Sequence, residues 1–219
     1  MNRPRVVAID GAAGSGKSTL ARALATALDL PYVNTGLMYR ALTLAALRQG
    51  VATDDGDRLA WLMRTLSFRV GDGAPGELSI EGSPPSDELR SSEVEAEVSS
   101  VAGHPQVRRL MREEQRRLGA DGAVMEGRDI GSVVFPDAPV KLYLQAHHHD
   151  RASRRAGERP SDDASVARQL AERDRRDAGT VPFVPPSDAV VIDTGALDAE
   201  QTLREALRVV GLRAPELIR

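Results

Sequence analysis

The stretch Gly11-Ala12-Ala13-Gly14-Ser15-Gly16-Lys17-Ser18-Thr19 follows directly on the apolar run Val6-Val7-Ala8-Ile9, and its residue types suit a polyphosphate. Glycines at 11, 14 and 16 permit the turns and the close approach that let backbone N–H groups wrap phosphate oxygens. A helix opening next in the sequence aims its unpaired N–H groups and positive dipole end at the same anion. The spacing is the phosphate-loop pattern G-x-x-x-x-G-K-[ST] in its proper setting between a strand and a helix. Lys17 adds a compact charge for the β and γ phosphates, and the Ser18 hydroxyl is placed to hold magnesium. Of the 29 basic residues only Lys17 and Lys141 are lysine. A chain that otherwise writes positive charge as arginine keeps an ammonium here, where a point charge on a flexible stem fits better than a planar fork. A nucleoside triphosphate with Mg2+ is therefore the expected ligand of the loop.

A second set of groups carries charge of the complementary kind. Thr35-Gly-Leu-Met-Tyr39-Arg40, Glu126-Gly-Arg128-Asp129 and Glu172-Arg173-Asp-Arg-Arg-Asp177 each place an arginine beside polar residues. The first two follow strand-like segments, so on a parallel sheet their guanidinium groups emerge on the same edge as the phosphate loop. Two such groups converging on a second phosphate suit phosphoryl transfer between nucleotides, where transferred charge is neutralised and donor and acceptor are held in line.

The elements that position these residues can be read from hydrophobic runs. Five short apolar segments, 6–10, 32–34, 123–126, 140–145 and 189–193, suit strands covered on both faces. Helical stretches at 16–28, 38–48 and 197–210 alternate with them, which predicts an α/β fold: a three-layer, doubly wound, five-stranded parallel sheet with ligands at the carboxyl ends of its strands. Two regions interrupt the alternation. Residues 66–98 read as a β-hairpin, a polar segment and a helix, an inserted substrate-side subdomain. Residues 150–180 read as two helices joined by a tip, the form of a closing lid. The core is then 1–65, 99–149 and 181–219.

At 219 residues the chain is long enough to bury a real core, and 41% hydrophobic with 28% charged residues is an ordinary globular balance. The net charge of −3 gives no general nucleic-acid footprint. No apolar run reaches bilayer length, Asn2-Arg3-Pro4-Arg5 leads into a strand, and cysteine is absent, so no membrane partner and a cytoplasmic location are expected. A monomer acting on a small molecule is the expected state.

Together these stretches resemble the bacterial cytidylate kinases, members of the P-loop nucleoside monophosphate kinases, through nearly the whole chain. The resemblance is carried by Ile9 to Thr19, Thr35 to Arg40, Val101-Ala-Gly-His-Pro-Gln-Val-Arg108, Glu126-Gly-Arg-Asp-Ile-Gly-Ser-Val-Val-Phe-Pro-Asp-Ala-Pro139 and Arg173-Asp-Arg-Arg-Asp177. The phosphate loop is shared with many nucleotide-binding proteins, whereas the run from Gly127 to Pro139 is far more specific. The resemblance implies an ATP-dependent kinase acting on CMP and dCMP. It implies that Arg40 and Arg128 grip the acceptor phosphate, that Ser99, Arg108 and Asp129 read the cytosine edge, and that Tyr39 lines the acceptor pocket. It further implies that Arg173 and Asp177 lie near the sugar and the transferred phosphate, and that Thr35 supplies a hydroxyl where relatives often have serine. A carboxylate or hydroxyl can meet the exocyclic amine of cytosine, and a guanidinium its ring nitrogen and carbonyl.

The chain departs from the family at Thr180, where another arginine usually reaches the phosphates. UMP or another monophosphate as acceptor is the nearest alternative, and a regulator that binds nucleotide without turnover is a more distant one. A GTP switch is disfavoured because no Asn-Lys-x-Asp segment is present. Three plainer readings complete the expectations: an i,i+4 surface ion pair competes for Arg173 and Asp177, His147-His148-His149 form a solvated turn and no metal site, and Trp61, Leu62 and Leu66 are core.

Overall fold

The computed structural model describes residues 4–71, 77–157, 163–180 and 183–218; the side chains of residues 155–157, 163–166, 169 and 173 lie outside that description. Strand β1 (Val6–Gly11) leads into helix α1 (Lys17–Leu28), then β2 (Tyr32–Asn34), α2 (Thr35–Arg48) and α3 (Gly56–Met63). A hairpin of β3 (Phe68–Val70) and β4 (Leu78–Ile80) precedes α4 (Ser92–Gly103), α5 (Pro105–Leu118) and β5 (Ala123–Gly127). A π-helical turn at Ile130–Val134 connects to β6 (Val140–Gln145), followed by α6 (His148–Gly157), α7 (Asp163–Thr180), β7 (Val190–Asp193) and α8 (Ala199–Arg213).

The five expected strands form one parallel sheet in the order β2-β5-β1-β6-β7, while β3 and β4 pair antiparallel as a separate ribbon. Successive residues of β1 point to opposite faces, and both faces are buried. Val6 and Ala8 pack into a core with α2, α3 and α5, whereas Val7 and Ile9 pack with α1 and α8. That two-sided burial is why the strands read as unbroken apolar runs. It makes three layers, and it brings the carboxyl ends of β1, β5 and β2 side by side.

Local chemistry sets the element ends. Helix α2 starts at Thr35, three residues before the expected Met38, because Asn34 caps it by accepting from the Leu37 N–H at 3.1 Å. Asp55 caps α3 in the same way through Arg58, a helix the apolar pattern had not separated from its neighbours. Asp198 and Gln201 form a reciprocal capping box that delays α8 to Ala199. Trp61 corrects an expectation: it is 62% exposed, whereas Leu62 is buried and Leu66 packs partly against the core. On α3 the inward stripe is Leu59, Leu62 and Met63, and Trp61 lies a helical step away from it.

His147, His148 and His149 are all exposed, and the last two open α6 instead of forming a turn. Among the described residues no group of three or more His, Cys, Asp or Glu could hold a metal ion, and no helix is long and apolar enough to cross a membrane.

Candidate active site

The strand β1 ends in a loop that only glycine can build. Gly11 has φ 149°, and a Cβ there would stand 2.4 Å from the Leu144 carbonyl oxygen of β6. Gly14 (φ 74°) passes so close to α6 that a Cβ would meet the Arg151 backbone oxygen at 3.1 Å. Lys17 folds back over the loop and donates to the Ala12 carbonyl at 2.7 Å. Ser15 is fully buried, and its hydroxyl has no partner among the described residues, while Thr19 is exposed on the first turn of α1.

Glu126, at the end of β5, is the hinge between this loop and α2. Its buried carboxylate accepts from Ser18 Oγ at 3.0 Å, from Asn34 Nδ2 at 2.7 Å and from the Tyr32 hydroxyl. Burial, reinforced by the Glu126 charge, drives the Tyr32 phenol well above its ordinary range, so that it acts as a fixed donor. The Thr35 hydroxyl donates to the Glu126 backbone carbonyl at 2.7 Å. Two strand ends and the start of α2 are thereby locked in one arrangement.

One cleft is lined by Ala13, Gly14, Lys17 and Ser18 from the loop, by Thr35, Tyr39 and Arg40 from α2, and by Ser99, Arg108, Arg128, Asp129, Asp177 and Thr180. Of the residues singled out in the sequence, Gly11, Ala12, Ser15, Gly16 and Thr19 lie behind that lining, and the side chain of Arg173, on α7, is outside the described residues.

The arginines are held by acids from other elements. Arg40 is buried, donating to the Leu89 carbonyl at 2.9 Å and pairing with Glu95 of α4 at 2.5 Å. Arg128 donates to the Gly11 carbonyl at 2.9 Å, pairs with Asp177 at 2.5 Å and lies 5.2 Å from the centre of the Phe183 ring. Asp177 uses its other oxygen to accept from Ser99 at 2.9 Å. Arg108 pairs with Asp129 at 2.6 Å, both side chains largely buried. Arg128 and Asp129, neighbours in sequence, therefore engage different partners. Burial, with Arg108 opposing and Asp129 adding to it, pushes the Tyr39 hydroxyl up to about 12, which keeps it protonated.

On the other side of the loop, Arg151 donates to the Ala13 carbonyl at 3.0 Å and pairs with Asp174 of α7 at 2.8 Å. The glycine loop and a cleft of arginines and carboxylates thus share one wall. A family model described as cytidylate kinase matches residues 7–211. The chain belongs to the cytidylate kinase family.

Relatives of known name agree with that membership. The chain is 43% identical over 207 residues to a cytidylate kinase of Deinococcus radiodurans, covering 94% of this chain and 99% of that one. It is 40% identical over 218 residues to a cytidylate kinase of Solibacter usitatus, covering 95% and 93%. Among solved structures, an uncharacterized protein from Eubacterium ventriosum shares the fold with a TM-score of 0.52 at 12% identity, over 95% of this chain and 99% of that one.

Several groups of this cytidylate kinase family site were not marked by sequence reasoning. Asp10, Tyr32, Asn34, Glu95, Arg90, Arg151 and Asp174 all touch or line the cleft or its walls. Asp10 and Tyr32 lay inside stretches already read as strand, so their polar side chains were the available signal. Glu95, Arg151 and Asp174 lie on helices dense in charge, where sequence gives no cue to which charge turns inward.

Proposed function

We infer that this protein transfers the γ-phosphoryl group of ATP directly to CMP, giving ADP and CDP. The observation that carries the reading is the contact of Arg128 with the Gly11 carbonyl, which sets an arginine of the acceptor side against the phosphate loop. In this assignment the loop amides and Lys17 stabilise the β and γ phosphates, and Arg40, Arg128 and Arg173 offset the charge shared between the nucleotides. Ser99, Arg108 and Asp129 recognise cytosine, with dCMP accepted as well, Tyr39 lines the acceptor pocket and Asp177 lies at the sugar. Ser18 and Glu126 fit a hydrated Mg2+, which supplies charge neutralisation at the phosphates when bound. No strong general base is needed, because the second ionisation of a phosphate monoester falls at about 6.

Residues 66–98 form the acceptor-side subdomain and residues 150–180 the lid in this reading, and closure of the lid keeps water from the transferred group. The protein works as a cytoplasmic monomer with no nucleic-acid partner. The test is ADP release from MgATP with CMP, dCMP, UMP, AMP or GMP, and with no acceptor. Selective ADP formation with CMP and dCMP, with matching CDP, is expected. Equal rates without acceptor would make the protein a hydrolase, selectivity for UMP would reassign the base contacts, and silence throughout would favour a regulator.

A further inference from the structure

Asp10 is the last side chain of β1 before the phosphate loop, and it is 3% exposed. Both oxygens of its carboxylate are engaged by backbone amides. One oxygen accepts from the Ile130 N–H at 2.9 Å and the other from the Gly131 N–H at 2.8 Å. Those two amides open the π-helical turn that begins immediately after Arg128 and Asp129. The adjacent residue of β1, Gly11, receives Arg128 Nη1 on its carbonyl. A single dipeptide of β1 thus fixes the Arg128–Gly131 segment at both ends, by side chain at one and by backbone at the other.

We propose that Asp10 is a positioning residue for the acceptor side: it sets the turn from which Arg128 and Asp129 reach the cleft. The charge is what the geometry needs. Two backbone N–H groups converge on two oxygens, so a full complement of acceptors requires the ionised carboxylate, and hydrogen bonds to a charged group are the stronger kind. Protonation would put an O–H against one N–H and release that end of the turn. Burial raises the Asp10 carboxyl to about 6, the nearby charge of Asp129 adds to the rise, and Lys17 and the two amides oppose it. Tyr143 of β6 also faces it and is itself raised by burial, hence neutral. The tie is therefore intact at neutral pH and loosens in mild acid.

The inference rests on the kinase reading, and the test separates the two. CDP formation by the unaltered protein tests the reading. Asp10→Asn, nearly isosteric, offers one acceptor oxygen and turns an NH2 toward the second N–H. Loss of a charged hydrogen bond predicts at least a ~10-fold rise in KM for CMP or fall in kcat. The dissociation constant for ATP alone should stay within about 2-fold, since the loop keeps its own contacts. Equal weakening of ATP and CMP, or unchanged CMP kinetics, would overturn the proposal. Should the variant not fold, the unaltered protein still decides. On lowering the pH through about 6, the amide resonances of Arg128 to Gly131 should shift together while those of Gly14, Gly16 and Lys17 hold still. Loop amides moving instead, or none moving, would overturn it.

Discussion

Individual side chains in this cleft are defined by which charge they hold. Arg108 and Asp129 satisfy each other at 2.6 Å, so removing either leaves a mostly buried charge unpaired. Arg108→Met should therefore cost both recognition and stability. Truncating one partner of a buried pair typically costs about 3 kcal/mol, enough to raise KM for CMP on the order of 100-fold while ATP affinity changes little. Steady-state kinetics with each substrate varied in turn checks this, and equal losses would remove Arg108 from the acceptor site. Lys17→Met should act on the chemistry instead. Losing one preorganised donor lowers kcat by about 100- to 1,000-fold, to be read in single-turnover experiments at saturating ATP. The identities of Lys17 and Arg128 were legible in sequence because motif spacing announces them. Their partners were not, because an ion pair such as Arg128 with Asp177, 49 positions apart, is a product of the fold.

Elements differ in how much of them the sequence disclosed. The five strands could be read almost to the residue: in β1, β2, β5 and β6 burial on both faces favours a continuous apolar run, and the edge strand β7 keeps the apolar run although only Ile192 is buried in it. Helix starts were displaced wherever a polar side chain caps them, as Asn34 does for α2. That residue has two tasks, receiving the Leu37 N–H and donating to Glu126. Asn34→Ala should lower stability by about 1–2 kcal/mol through the lost cap alone, seen as a lower denaturant midpoint with an unchanged slope. At the other end of the site, α7 closes on Thr180, which lines the cleft at the position where the sequence resemblance leads one to expect an arginine. Thr180→Arg should raise kcat by about 10-fold or more, because each cation at a transferring phosphoryl group is worth orders of magnitude in rate. An unchanged rate would mean that Arg175 or Arg176 already serves, although Arg176 donates to the Ala96 carbonyl.

For the molecule as a whole, Asp10 couples function to stability. Its carboxyl rises from 3.8 to about 6 on folding, so the native protein binds that proton more tightly than the unfolded chain. The stability it contributes is full below pH about 4 and is lost as the pH climbs through about 6. Ionised Asp10 at neutral pH therefore takes about 3 kcal/mol from the fold, as an order of magnitude. Urea unfolding of the unaltered protein and of Asp10→Asn between pH 4 and 7 should show that the difference between them changes by this amount; parallel profiles would remove Asp10 as the source. Asp177 has a consequence of another kind. One carboxylate on α7 takes hydrogen bonds from Ser99 on α4 and from Arg128 after β5, the groups proposed for base and phosphate. If a nucleotide engages Ser99 and Arg128 as proposed, Asp177 must give up those contacts and turn to the sugar, and the measured affinity is then an exchange constant. Because ionic pairs are broken as well as made, that constant should vary less with ionic strength than three converging arginines would suggest.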